Sequence, residues 1–268
     1  MTTHSETIKN LKWWVPLFLA VQFLTRLPVP GLSGLTAEQA RYGLSRSVIW
    51  FPLVGALVGA ITVAVLMAST QIWPRAIAVI IALVIEARLT GSFHEDAVAD
   101  FCDAFGGGYD AESIRRIMKD SRIGSYGALG LVLAIGLRAA ALIAMPQDIV
   151  IMVVIASSCF GRLLAVAVMA LVPPVATPDG GLAKDVGGRT GLRDLFLAML
   201  VAAPAMAAFV YFQPVATLLT LTGSGLFLFW FRALLLRRLG GSTGDCLGFA
   251  AYAGQLIVLL AALAVAGS

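Results

Sequence analysis

Charge is what this 268-residue chain has least of: 13% of its residues are Asp, Glu, Lys or Arg, where a soluble protein carries about a quarter. That scarcity, with 59% hydrophobic residues and a mean hydropathy of +0.91, excludes an ordinary soluble enzyme and requires a multi-pass membrane protein, with the lipid bilayer as its first partner. Cysteine is scarce too. Cys102, Cys159 and Cys246 stand alone, without CxxC or paired histidines, so neither a zinc site nor a disulfide framework is expected. There is no GxxxxGK[ST], which leaves ATP-driven pumping without support. No A-x-A-type site follows the first apolar run, so no removable signal peptide is expected. The net charge of +4 is modest, and no nucleic-acid partner is expected.

What charge there is gathers between Gly91 and Gly124, GSFHEDAVADFCDAFGGGYDAESIRRIMKDSRIG. Asp96, Asp100 and Asp103 follow a spacing of i, i+4 and i+7, which puts three carboxylates on one face of a helix. Like charges so placed repel, and a divalent cation relieves the repulsion with hard oxygen ligands. His94 adds an imidazole at the mouth of the same turn. Gly106-Gly107-Gly108 ends the helix, and a second, amphipathic helix beginning near Asp110 presents Arg115, Arg116, Lys119 and Arg122. Acid-bound metal beside a cationic face suits a diphosphate.

The remaining chain reads as apolar spans. Trp13 to Leu24 is short for a crossing of roughly 20 residues and is expected to be interfacial or re-entrant. A short surface helix over Leu35 to Arg46, with Thr36 as N-cap, comes next. Spans are expected over 48–68, 75–90, 127–145, 149–172, 195–212, 215–231 and 247–266. The first carries a GxxxG pattern, Gly55 to Gly59, that lets another helix approach closely. Basic residues fall in segments separated each time by two spans: Arg41 and Arg46; Arg115 to Arg122; Lys184, Arg189 and Arg193; Arg232, Arg237 and Arg238. These segments share one face, the cytoplasmic one, and the C-terminus lies opposite. Glu86, Arg138 and Arg162 sit inside spans, where polar groups mark function. Glu86 is near enough to an end to reach the interface, whereas Arg162 is too deep and should face a polar cavity or a carboxylate. The loops around Lys184 and Arg189 have the glycine and charge for anion binding, and Asp245 ends a glycine-rich turn directly before a span.

The sequence is therefore read as a single integral-membrane domain over residues 1–268: all-α, a polytopic transmembrane helical bundle of about seven spans plus a short N-terminal interfacial or re-entrant helix. Loops 91–126, 173–194 and 232–246 would form the site, and a homo-oligomer is compatible with it. A cation-coupled secondary transporter, using Asp96, Asp100 and Asp103 as an ion path, is the alternative from another class.

Five motifs in order resemble the adenosylcobinamide-GDP ribazoletransferase, or cobalamin-5'-phosphate synthase, family. They are Phe23-Leu24-Thr25-Arg26-Leu27-Pro28-Val29-Pro30, Phe51-Pro52-Leu53-Val54-Gly55, the His94-x-Asp96-x-x-x-Asp100-x-x-Asp103 core, Met118-Lys119-Asp120-Ser121-Arg122-Ile123-Gly124, and Gly240-Gly241-x-Thr243-Gly244-Asp245-x-Leu247-Gly248. Ala97 departs from the family's usual glycine, and Tyr252 and Gln255 stand where glutamates are expected. The resemblance implies a magnesium-dependent enzyme of the bacterial cytoplasmic (inner) membrane that joins adenosylcobinamide-GDP to α-ribazole, or its 5'-phosphate, and releases GMP. The acidic stretch is also similar in kind to the aspartate motif of CDP-alcohol phosphotransferases, with different spacing. On this reading Asp96, Asp100 and Asp103 hold magnesium. Lys119, Asp120 and Arg122 take the phosphate side, with Arg162, Lys184 and Asp245 as further substrate-binding residues. His94 is the expected general base, with Asp103 or Asp245 as the other candidates, and orientation of Asp96 is the other role open to His94.

Overall fold

The chain enters through α1 (Val15–Leu24), whose ten residues are too few to cross a bilayer. Helix α2 (Ala37–Ser47) opens on a capping box in which Thr36 accepts from the Gln39 amide and Gln39 reaches back. A tight helical turn (Val48–Trp50) then carries it directly into α3 (Phe51–Ser69), so the surface helix and the first span run on as one 33-residue element. Nothing between Ser47 and Phe51 breaks the helix, and Pro52 falls in the first turn of α3, where its missing N–H is not needed. The computed structural model describes residues 11–175 and 190–267. Lys184, Arg189 and the glycines around them lie outside the described residues.

The other helices are α4 (Arg75–Thr90), α5 (Phe93–Gly107), α6 (Ala111–Met118), α7 (Ser125–Ala144), α8 (Val150–Leu171), α9 (Leu192–Phe212), α10 (Pro214–Arg238) and α11 (Gly244–Ala266). Among the described residues six elements are long and apolar enough to cross a membrane, and α4 makes a seventh if it is joined to α5, from which it is bent by 89°. We read α4 as the span and α5 as a helix running across the bundle. Every expected span is present within a few residues, except that α10 continues two turns further, through Arg238. Phe231 and Leu235 are buried there, and Arg237 and Arg238 suit the negative end of the helix dipole, so the expected loop 232–246 shrinks to Leu239–Thr243.

Helix α8 is the post around which the bundle is assembled, packed against α3, α9 and α11. Glycine makes this possible. A Cβ on Gly55 or Gly59 would run into the α8 backbone at Ser158 and Val154, and one on Gly161 would meet the carbonyl of Ala251 on α11. The Gly55 to Gly59 pattern is thus a helix-packing motif. Leu129, Val132 and Leu133 on α7 and Leu218, Leu226 and Phe229 on α10 are exposed, an arrangement that suits lipid.

Charge also lies inside the bundle. Arg138 on α7 and Glu86 on α4 are each almost fully buried, and one guanidinium nitrogen donates to both carboxylate oxygens at 2.8 and 2.7 Å. Thr62 on α3 donates to the same carboxylate at 2.7 Å, Glu95 on α5 stands 3.9 Å from the other arm of Arg138, and the ring of Tyr252 on α11 lies under the guanidinium at 5.6 Å. Glu86 therefore does not reach the interface: it is one half of an ion pair. Replacing either partner alone, as Glu86→Met or Arg138→Met, should cost about 3–5 kcal/mol of stability because it leaves a bare charge in an apolar interior. Replacing both should recover most of the loss. Thermal unfolding of the purified protein in detergent checks this, and additive losses in the double variant would show that the two groups do not act as a pair.

Candidate active site

The α4 to α5 bend is made by two left-handed residues, Gly91 at φ 69° and Ser92 at φ 57°. A side chain costs little conformational strain at neither position, yet only Gly91 is a glycine, so Ser92 holds a strained backbone two residues before His94. The Arg26 amide donates to Leu89 O at 2.7 Å, and its guanidinium fills the space beside Gly91 that a Cβ would need. The Thr25-Arg26 motif therefore braces this bend.

Helix α5 runs unbroken through Asp96, Asp100 and Asp103, so the expected shared face exists. Asp245 arrives from α11. The bend that delivers it is fixed by Gly240 at φ 77° and by Gly241, which sits against Pro173 and Val175 while Ser242 exchanges backbone hydrogen bonds with Pro173 and Val175 at 2.8 and 3.0 Å. Thr243 then caps α11. Gly248 lies against Ala97, packing the first turns of α11 and α5 together.

The Asp100 carboxyl is pushed up to about 6, first by partial burial and then by the charges of Asp96, Asp245 and Asp103. No lysine or arginine among the described residues forms an ion pair with any of the four. Nor do three His, Cys, Asp or Glu side chains close on a common point among the described residues. Hard oxygens gathered in this way, uncompensated and not closed into a cage, fit magnesium, which takes one or two carboxylates and fills its other positions with phosphate oxygens and water.

Asp103 has a further part. Its two oxygens accept from the amides of Gly124 and Gly127, each at 2.7 Å, so this carboxylate caps α7 from a neighbouring helix. Beyond it the chain turns back: Gly108 passes so close to Ile114 that a side chain would not fit, and Asp110 caps α6 by accepting from the Ser113 amide at 2.8 Å. An open cleft of about 450 Å³ lies between these elements, lined by Asp103, Asp120, Arg122 and Tyr126. In it Arg122 grips Asp120 through two nitrogens at 2.6–3.2 Å, and these hydrogen bonds hold the Asp120 carboxyl down at about 2. Lys119 is exposed at the end of α6.

His94 and Arg162 face a different space, a pocket of about 170 Å³ inside the bundle. His94 is 3% exposed and its ring meets Phe93 edge-on at 5.4 Å. Burial, followed by the charges of Arg162 and Arg138, keeps its imidazole well below the ordinary range and hence neutral. Arg162, as deep as expected, forms no ion pair among the described residues: Nη1 donates to Ser158 O at 3.3 Å, and Nε finds no hydrogen-bond partner among them. The structure thus brings Asp96, Asp100, Asp103 and Asp245 together, joins Asp120 to Arg122, and sets His94 beside Arg162. Sequence reasoning passed over Glu95, Gly127 and the aromatic walls of the inner pocket. A run of glycines at 124, 127 and 130, three apart from Asp103's partner onward, was the available signal for a close helix contact.

A helical bundle that gathers carboxylates with no ion-pair partner among the described residues at the joined ends of two helices, next to a cleft holding Arg122, has a site suited to an integral-membrane transferase. The family model described as cobalamin-5-phosphate synthase matches residues 16–263. Proteins named adenosylcobinamide-GDP ribazoletransferase are similar across their length: that of Leptothrix cholodnii is 37% identical, covering 92% of this chain and 94% of its own, that of Ralstonia pickettii 37% (94% and 96%), and that of Vibrio cholerae serotype O1 34% (95% and 95%). No solved structure matches. The chain belongs to the cobalamin-5-phosphate synthase family, a family of transferases, which sets the transporter reading aside.

The Asp103 cap gives a prediction free of any assay of turnover. Gly127→Ala would drive a methyl group into the Asp103 carboxylate and should cost about 1–3 kcal/mol, while Gly136→Ala on the same helix, with open space around it, should be neutral or slightly stabilising. Thermal midpoints of the two purified variants measure the difference, and equal midpoints would mean that the α5–α7 contact does not need glycine.

Proposed function

We propose that the protein is an adenosylcobinamide-GDP ribazoletransferase of the bacterial inner membrane, working on the cytoplasmic side. A ribose hydroxyl of α-ribazole, or of its 5'-phosphate, attacks the phosphorus attached to cobinamide. A new P–O bond forms, the P–O bond to GMP breaks, and GMP leaves with the electron pair while the hydroxyl proton passes to a base. The observation that carries this reading is the group of four carboxylates without an ion-pair partner among the described residues, in a chain of this family.

Asp96 and Asp100, with Asp245 beside them, would hold magnesium, which supplies positive charge to neutralise the diphosphate. Asp103 keeps the row in register with α7 and stands at its end. Lys119 and Arg122 take the diphosphate from the open cleft. Asp120 holds Arg122 in place until phosphate oxygens compete for the same nitrogens. Lys184, in a glycine-rich stretch of sequence, is a further anion-binding candidate. His94 is the base: a neutral imidazole accepts a proton without giving up a magnesium ligand.

The test is release of GMP by the purified protein supplied with adenosylcobinamide-GDP, α-ribazole and magnesium. Asp96→Asn and Asp100→Asn should each lower turnover by orders of magnitude with expression unchanged, and removal of magnesium should do the same to the unaltered protein. Arg122→Gln should raise the Michaelis constant for the GDP-linked substrate. His94→Ala should lose turnover that added imidazole partly restores. Near-normal GMP release from both aspartate variants would end the metal assignment, and no release from the unaltered protein would end the functional one.

A further inference from the structure

The inner pocket is built unlike the rest of the site. Phe23 of α1, Phe51 of α3 and Phe93 of α5 wall it, with Met169 of α8 behind, and among the described residues that line it only His94 and Arg162 carry a polar side chain. The Phe23 and Phe51 rings lie nearly parallel at 5.8 Å and Phe93 stands edge-on to Phe23 at 5.5 Å, so the cavity offers aromatic surface in two orientations. Arg162 ends inside the bundle with a guanidinium that is 2% exposed, one hydrogen bond to its own helix, and a buried Nε that donates to nothing. An ionised donor left so in an apolar space is costly, and an acceptor entering the pocket would offset that cost. The pocket opens beside the reacting end, since Phe93 and His94 precede Asp96 on α5 and Gly244, Leu247 and Gly248 flank Asp245 on α11.

These features select a ligand. A corrin ring is far too large for about 170 Å³. Guanine would leave the donors and acceptors along its edge unpaired against phenylalanine, leucine and methionine, and a diphosphate would have to shed its water for apolar walls. An acyl chain fits the walls but offers Arg162 nothing to bond. A neutral fused-ring aromatic base with one free ring nitrogen satisfies both: its faces meet the phenylalanines and its lone pair accepts from Arg162. We propose that this pocket seats the benzimidazole of the attacking nucleoside, with Arg162 as the donor to its ring nitrogen, so that the attached ribose projects toward Asp96 and Asp245. This rests on the function proposed above.

Substitutions that reshape the walls test it. Ala165→Leu narrows the pocket and should raise the Michaelis constant for α-ribazole by about tenfold or more while leaving that for adenosylcobinamide-GDP unchanged. Met169→Ala widens it and should improve the use of a riboside with a larger, naphtho-fused base relative to α-ribazole. Arg162→Met should weaken α-ribazole binding, and Arg162→Gln, which retains a donor, should keep part of it. If Ala165→Leu fails to fold, Ala251→Val fills the same space. Direct titration of the purified full-length protein with α-ribazole by calorimetry, without the second substrate, separates this inference from its parent. Tight binding that the narrowing variant abolishes supports the pocket even where no GMP is released. Release of GMP with an unchanged constant for α-ribazole in every variant, or a constant raised for the GDP-linked substrate instead, would overturn the assignment and leave the pocket to lipid, to water or to the other substrate.

Discussion

The structure depends on one buried ion pair. Arg138 and Glu86 stand on helices that face each other inside an apolar bundle, where a bare charge of either sign is expensive, so the two helices are held at the one separation and rotation that lets the groups meet. Helix α5 hangs from this joint at both ends. Its start leaves α4 through the left-handed residues Gly91 and Ser92, only two turns beyond Glu86, and its far end is tied to α7 by Asp103 on the amides of Gly124 and Gly127. Glu95 and Tyr252 bring α5 and α11 to the same guanidinium. The place of the aspartate row thus follows from the position of Arg138.

Around that joint the charges fall into three kinds. Arg138 and Glu86, inside the bundle, are paired with each other. Those in the open cleft are paired with each other and exposed, as Arg122 is with Asp120, an arrangement worth little to stability and easily exchanged for another anion. The carboxylates of Asp96, which is exposed, and of Asp100 and Asp245, which are half-buried, are gathered without an ion-pair partner among the described residues. Among the described residues folding has gathered like charges without a counter-charge, and such local inconsistency is what a ligand site looks like before its ligand arrives. Arg162 is the same case with the opposite sign.

Much of this was legible in the sequence because lipid imposes simple rules. Span limits followed from length and hydropathy, the Thr36 cap from residue type, the start of a second helix near Asp110 from its amphipathic pattern, and the common face of Asp96, Asp100 and Asp103 from spacing alone. Arg162 was too deep to reach water, and its burial follows. The pairing of Glu86 with Arg138 was not legible. Each was recognised as a polar residue within a span, but helices that are apolar on every side carry no periodic signal for which face turns inward, so partners cannot be matched from sequence. Asp103 illustrates the same limit from the other direction: its spacing places it in the row, while its hydrogen bonds to α7 depend on a neighbour that spacing does not identify. Tyr252 and Gln255, departures from the family pattern, prove to lie buried beside Arg138 and Gly161, where they complete the packing of α11.

In the function proposed, the carboxylates of α5 share a divalent ion with the diphosphate. Electron paramagnetic resonance of Mn2+ added in place of magnesium to the purified protein examines this directly, because phosphorus bound to the metal through oxygen gives a resolvable coupling. Mn2+ should bind weakly to the protein alone, bind more tightly with adenosylcobinamide-GDP present, show the phosphorus coupling in that complex, and lose both effects in the Asp96→Asn, Asp100→Asn double variant. Binding and coupling that persist unchanged in the double variant would contradict the account.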